Sequence, residues 1–162
     1  MAEIFWVLDT PLAILLCPLG THGSNLLRDE MRAYKDGGIQ TVVSLLTADQ
    51  VTMLGLEKEG QLATKLKMQF INFPIVDHSV PQNLPEFRAL VTQLAEHINR
   101  GERVGLHCWG SVGRAPLTAA CIMIHLGWKA ADAIAALSLS RGCQVPEMDE
   151  QREWILAYEA QG

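Results

Sequence analysis

Short apolar runs alternate with amphipathic stretches along most of the chain. Ile4 to Leu8 and Leu12 to Leu16 flank Asp9-Thr10-Pro11 and read as two strands around a turn. Pro18 to Gly23 is expected to be a loop. Ser24 or Asn25 then caps a helix from about Leu26 to Lys35, which stops at Gly37-Gly38. The β-branched run Thr41 to Leu46 predicts a buried strand. Thr47 starts a helical stretch through Met53, and Leu56 to Leu66 gives another around Gly60. Gln69 to Phe73 alternates and reads as a strand ending at Pro74. Leu84 to Asn99 places Leu84, Phe87, Leu90, Val91, Leu94 and Ile98 at the spacing of an amphipathic helix, terminated by Gly101. Val104 to His107 is a further strand and Pro116 to Leu126 its helix. Lys129 to Ser138 and Glu147 to Ala160 supply two last helices, with Trp154 and Leu156 expected in the core.

Helices separating the strands near 41, 68 and 104 call for an α/β fold, a central, mostly parallel sheet with helices on both faces. The N-terminal pair is expected to add antiparallel pieces. At 162 residues, with 49% hydrophobic and 19% charged, the chain fits a single domain over 1–162 with a full core. A net charge of -5 argues against a nucleic-acid or anionic-membrane partner. Leu12 to Leu16 is too short to span a bilayer, and Glu3 and Asp9 stand where a signal peptide would be basic. Cys17, Cys108, Cys121 and Cys143 are widely spaced with no CxxC, which suits free thiols in a reducing cytoplasm. Neither they nor the five histidines have metal-ligand spacing, so no metal and no cofactor are expected. A monomer is the expected state.

One stretch carries candidate chemistry. Val104 to Arg114 runs from a strand through Cys108 and a loop with Gly110 and Gly113 to an Arg at a helix start. Unpaired amides at a helix N-terminus and its dipole make an anion cradle, and the same field favours thiolate over thiol. Arg114 adds a fixed charge whose planar fork suits phosphate. In open α/β sheets ligands lie outside the carboxyl ends of strands, where this loop falls. A lone buried Cys is most often packing; the strand before it, the helix after it and the His107-Cys108 pair argue otherwise.

His107-Cys108-Trp109-Gly110-Ser111-Val112-Gly113-Arg114 resembles the His-Cys-x5-Arg signature of cysteine-dependent protein phosphatases, especially the dual-specificity group. Phe73-Pro74-Ile75-Val76-Asp77-His78-Ser79-Val80-Pro81 looks like that group's general-acid loop, and Leu26 to Leu46 looks most like the kinase-associated phosphatase branch. The resemblance covers about residues 12 to 160. It implies a dual-specificity phosphatase acting on phosphotyrosine first, with phosphoserine or phosphothreonine second, in a protein substrate, and with phosphate or sulfate able to occupy the loop. Cys108 would be the nucleophile, Arg114 and the loop from Trp109 through Gly110, Ser111, Val112 and Gly113 would bind phosphate, and Asp77 would be general acid and base. His107 would sit behind the loop and help hold the thiolate. Activity should then fall as pH rises through the working pKa of the acid.

Two positions depart from that family's pattern. Ser111 replaces a common central Gly, which demands an unusual backbone angle or a shifted amide. Ala115 replaces the Ser or Thr whose hydroxyl helps the sulfur leave, so a slow second step with accumulating phosphoenzyme is expected. Gln151 falls roughly where relatives position water, and Trp109 is a candidate for the pocket mouth. With only Arg114 as a cation in the loop, a protein substrate is favoured over a phosphoinositide. A non-enzymatic phosphate-binding module is the alternative; a rhodanese-like sulfur transferase fits poorly, because the acid loop has no task there.

Overall fold

Five strands form one sheet in the order β1-β2-β5-β3-β4, in a computed structural model that describes residues 3–18 and 24–161, the Ser24 side chain excepted. The strands are β1 (Ile4–Trp6), β2 (Leu12–Leu15), β3 (Thr41–Ser44), β4 (Gln69–Asn72) and β5 (Val104–His107). Only the β1–β2 pair is antiparallel; β2–β5, β5–β3 and β3–β4 are parallel. The helices are α1 (Ser24–Asp36), α2 (Ala48–Met53), α3 (Glu59–Lys65), α4 (Leu84–Asn99), α5 (Arg114–His125), α6 (Ala130–Arg141) and α7 (Asp149–Ala160). The expected loop at residues 19–23 and the Ser24 cap lie outside the described residues. Asn25 is inside α1, where its Oδ1 accepts from Arg28 Nη2 at 3.2 Å, rather than at the cap.

Strand alternation divides the core between two faces. Leu12, Ile14, Val43, Leu45 and Leu106 join the residues of α4, α5, α6 and α7 on one side. Ala13, Leu15, Val42 and Leu46 join those of α1 and α3 on the other. The sheet is therefore buried on both sides, which explains the near-continuous apolar runs of its strands. Gly105 leaves room for the Leu15 side chain on that face: a Cβ there would lie 2.8 Å from its carbons.

Two expectations are corrected. Leu156 is half exposed, whereas α7 buries Gln151, Ile155 and Tyr158. Trp154 does pack against the core, but a residue two positions on lies ~200° round the helix and faces water. Helix α6 continues three residues beyond Ser138 to Arg141, closed by Gly142 at φ 73°.

Register aligns the strand ends that matter. Ser44 pairs with Asn72 on one side and His107 on the other. Beyond the sheet, Leu45 N–H donates to His107 O at 3.0 Å and Ile75 N–H to Leu45 O at 3.1 Å. Asn72 Nδ2 bridges Ser44 O and Leu46 O at 3.0 and 3.1 Å. The segments following β3, β4 and β5 thus leave the sheet as one ledge.

Candidate active site

The loop from Cys108 to Gly113 turns off this ledge into α5. Its sharpest bend is at Ser111, which has φ 57°, the left-handed region that a side chain enters at a cost. Compensation is visible. Ser111 Oγ donates to Leu15 O at 2.5 Å, and the Ser111 carbonyl accepts from Arg141 Nε at 3.0 Å. Arg141 in turn lies over the Phe5 ring, 4.3 Å from its centroid. Val112 O accepts from Glu147 N–H at 2.8 Å. With these carbonyls tied outward, the loop holds its bend at the N-terminus of α5, where unpaired amides and the helix dipole favour an anion. The unusual backbone angle expected at Ser111 is present, and the hydroxyl supplies part of what holds it.

Arg114 is 1% exposed and is the largest fully buried side chain among the described residues. Its Nη1 donates to Ile75 O at 2.8 Å, Gln50 Oε1 at 2.8 Å and Leu45 O at 3.3 Å. Nη2 lies 3.1 Å from Asp77 Oδ1 without hydrogen-bond geometry, so Nε and Nη2 are both buried donors with no hydrogen-bond acceptor. A guanidinium pinned by one nitrogen and unsatisfied at two is poised to bind a planar pair of anionic oxygens.

Asp77 sits in the turn after β4, about two-fifths exposed. Its Oδ1 accepts from the His78 backbone N–H at 2.9 Å, His78 itself adopting φ 59°. This tight turn aims the carboxylate back toward Arg114 rather than into solvent.

A cavity of about 310 Å³ joins these parts. Cys108, Arg114 and Asp77 line it together with Trp109, Gly110, Val112 and Gly113, which are seven of the nine residues singled out from the sequence. Trp109, 41% exposed, stands at the mouth. Cys108 is 2% exposed, at the floor. Ser111 and His107 do not reach the cavity: both are wholly buried behind it. His78, Glu147 and Gln151 complete the wall. Gln151 is 1% exposed; its Nε2 donates to Ser79 O at 3.0 Å, while its Oε1 is buried without a partner.

His107 lies against α3. Its Nε2 is 2.5 Å from Glu59 Oε1, both side chains being fully buried, and its Nδ1 is 3.2 Å from Cys108 O. Burial pulls the imidazole pKa down, but the adjacent Glu59 carboxylate outweighs it and holds His107 well above the ordinary value. As an imidazolium it donates from both nitrogens, so one donor fixes the ring and the other the Cys108 carbonyl. Cys121 is packed in α5, and burial pushes its thiol far up, away from reactivity.

Three residues here were not read from the sequence: Glu59, Glu147 and Gln50. Gln50 had a signal. Thr47-Ala48-Asp49-Gln50 fits the capping-box pattern, and Thr47 N–H does donate to Gln50 Oε1 at 3.3 Å. Glu59 and Glu147 had none, because nothing local marks which acidic residue folds inward. No helix among the described residues is long and apolar enough to cross a membrane.

Comparison with known proteins matches residues 20–128 to the family described as "Polymorphic toxin system, DSP-PTPase phosphatase". Among curated proteins, "Putative tyrosine phosphatase 067L" of Invertebrate iridescent virus 3 is 31% identical over 127 residues, 72% of this chain and 53% of that protein. "Putative tyrosine phosphatase 197R" of Invertebrate iridescent virus 6 is 37% identical over 60 residues, 35% of this chain and 23% of its own length. The chain thus spans about half or less of the curated relatives it matches. Among solved structures, kinase associated phosphatase with its catalytic site cysteine replaced by serine superposes with TM-score 0.82 at 19% identity, over 93% of this chain and 86% of that one. Tk-PTP in the active form gives TM-score 0.78 at 18% identity, over 98% and 97%. At these identities the likeness is one of fold.

Proposed function

Because the chain belongs to the DSP-PTPase phosphatase family, we propose that it hydrolyses phosphate monoesters of protein side chains, phosphotyrosine first, through a phosphocysteine at Cys108. The observation that carries this reading is the buried Arg114 guanidinium, with Nε lacking any acceptor and Nη2 facing only Asp77 Oδ1 without hydrogen-bond geometry, in one cavity with the Cys108 sulfur. Leaving a charged group's donors unsatisfied costs about 1–3 kcal/mol or more. A phosphate dianion removes that cost, and inorganic phosphate or sulfate would occupy the same cradle.

The chemistry follows from placement. Cys108 thiolate attacks phosphorus in line, forming S–P as the ester P–O bond breaks and its electron pair leaves on the substrate oxygen. Arg114 and the loop amides hold the three equatorial oxygens as charge shifts among them. Asp77 gives its proton to the departing oxygen. In the second step it takes a proton from water as that water attacks phosphorus and the S–P bond breaks. Gln151, anchored through Nε2 with Oε1 free, supports the reading that it orients this water.

Ala115, wholly buried, offers the sulfur no hydroxyl. A missing hydrogen bond to a charged group is worth about 1.5–3 kcal/mol, roughly one to two decades in rate, and it falls on the step in which sulfur is the leaving group. Phosphoenzyme should therefore accumulate. Glu147 on the wall and the lack of any loop cation beyond Arg114 favour a singly phosphorylated protein over a polyphosphorylated lipid.

An aryl phosphate assay tests the reading. Wild type should turn over, Cys108→Ser should be inert, and Asp77→Ala should fall about 10²-fold or more. No wild-type turnover with retained phosphopeptide binding would replace the enzyme by a phosphate-capture module.

A further inference from the structure

Helix α2 carries no residue used by the chemistry above, yet one of its side chains touches both halves of the site. Gln50 is 9% exposed. Its Oε1 accepts from Arg114 Nη1 at 2.8 Å and from Thr47 N–H at 3.3 Å. Its Nε2 reaches Asp77 Oδ2 at 3.5 Å. The Thr47 N–H fixes the amide's orientation, since only the oxygen can accept from it. Oxygen toward the cation and nitrogen toward the carboxylate is then the one complementary arrangement.

The amide suits this place as no other side chain does. A primary amide presents an acceptor and a donor in one rigid plane without net charge. A carboxylate would still accept from Arg114 but would repel Asp77. A hydrocarbon would hold neither. Helix α2 follows β3 immediately, so Gln50 is borne by the strand between those that deliver Asp77 and Cys108.

We propose that Gln50 is a positioning residue that couples the acid loop to the phosphate cradle, fixing the plane of the Arg114 guanidinium and holding Asp77 over the cavity. The inference rests on the phosphatase reading of this site. Gln50 acts through its two partners and does not itself line the cavity. The charged and titratable groups around Asp77 are Arg114 and His78 in contact, with Cys108 and Glu147 across the cavity.

Kinetics of wild type, Gln50→Glu and Gln50→Leu across pH, on phenyl phosphate and on p-nitrophenyl phosphate, test the coupling. Both variants should lose about tenfold in kcat/KM, and more on phenyl phosphate, whose poorer leaving group depends more on the acid. Gln50→Glu should also carry the basic limb of its profile to higher pH than Gln50→Leu, because a second carboxylate disfavours ionisation of the acid. Equal losses on both esters with unmoved limbs would mark Gln50 as packing and overturn the proposal. If Gln50→Leu loses the circular dichroism of the folded protein, Gln50→Glu, which keeps the volume and the Arg114 bond, decides. Titration with tungstate separates the two readings. Should wild type hydrolyse neither ester, the phosphatase reading fails. The coupling then stands if Gln50→Leu binds tungstate several-fold more weakly than wild type, and falls if the affinities are equal.

Discussion

Ser111 and Ala115 are the two single residues on which the proposed behaviour of the loop turns. Ser111 accepts a left-handed backbone angle, and its hydroxyl ties the loop to Leu15 of β2. Ala115 carries no hydroxyl, and the proposed slow second step rests on that missing donor. In Ala115→Ser the added hydroxyl should raise steady-state turnover about tenfold or more and diminish the burst seen in rapid quench. An unchanged turnover with no wild-type burst would place the slow step elsewhere. That Cys108, Arg114 and Asp77 would meet in one cavity was legible in the sequence, because they lie in two short loops at the ends of strands. Gln50 and Glu59 were not, since their importance comes from contacts across 64 and 48 positions of chain, set by register rather than by neighbours.

At the scale of elements, the cradle is held from behind by a buried ion pair between α3 and β5. His107 and Glu59 are both withdrawn from water, and the imidazolium also supports the Cys108 carbonyl. Removing one partner of such a pair typically costs about 3 kcal/mol or more. For a chain of this length that lowers Tm by ~10 °C, which is the expected outcome for Glu59→Gln near neutral pH. The sign of the pH dependence is fixed by His107, whose pKa is raised on folding. Its stabilisation is complete below the unfolded-state value of about 6.5 and is lost as pH rises through the folded-state value. The Tm gap between wild type and Glu59→Gln should therefore narrow toward alkaline pH. A gap that is absent, or constant with pH, would contradict the ion pair. Helix and strand types were legible throughout, and α4 and β5 agree to the residue with their periodicity. The Leu156 side was misjudged because spacing of two was read as a shared helix face.

For the whole molecule, strand order is what brings Asp77 to the same cavity as Cys108. Flanked by β2 and β3, β5 sends Cys108 out at the centre of the sheet, and the loop after β4 folds back to meet it. The parallel character was readable from the helices between strands, whereas the order of the strands was not, because many orders satisfy the same hydrophobic pattern. Two core layers press on this one ledge, and the aromatic cluster of Phe73, Phe87, Trp154 and Tyr158 ties the segment leading to Asp77 to α4 and α7. The loop that carries Asp77 therefore rests on the larger core, and Cys108 follows directly from the sheet.

The central claim is that Cys108 takes the phosphoryl group. Intact-protein mass spectrometry after rapid acid quench with an aryl phosphate measures this directly. Wild type should gain the mass of one phosphoryl group within the first turnover, localised to the Cys108 peptide and absent from Cys108→Ser. Release of aryl alcohol from wild type with no phosphorylated protein at any quench time, or a phosphoryl group that persists in Cys108→Ser, would contradict the account.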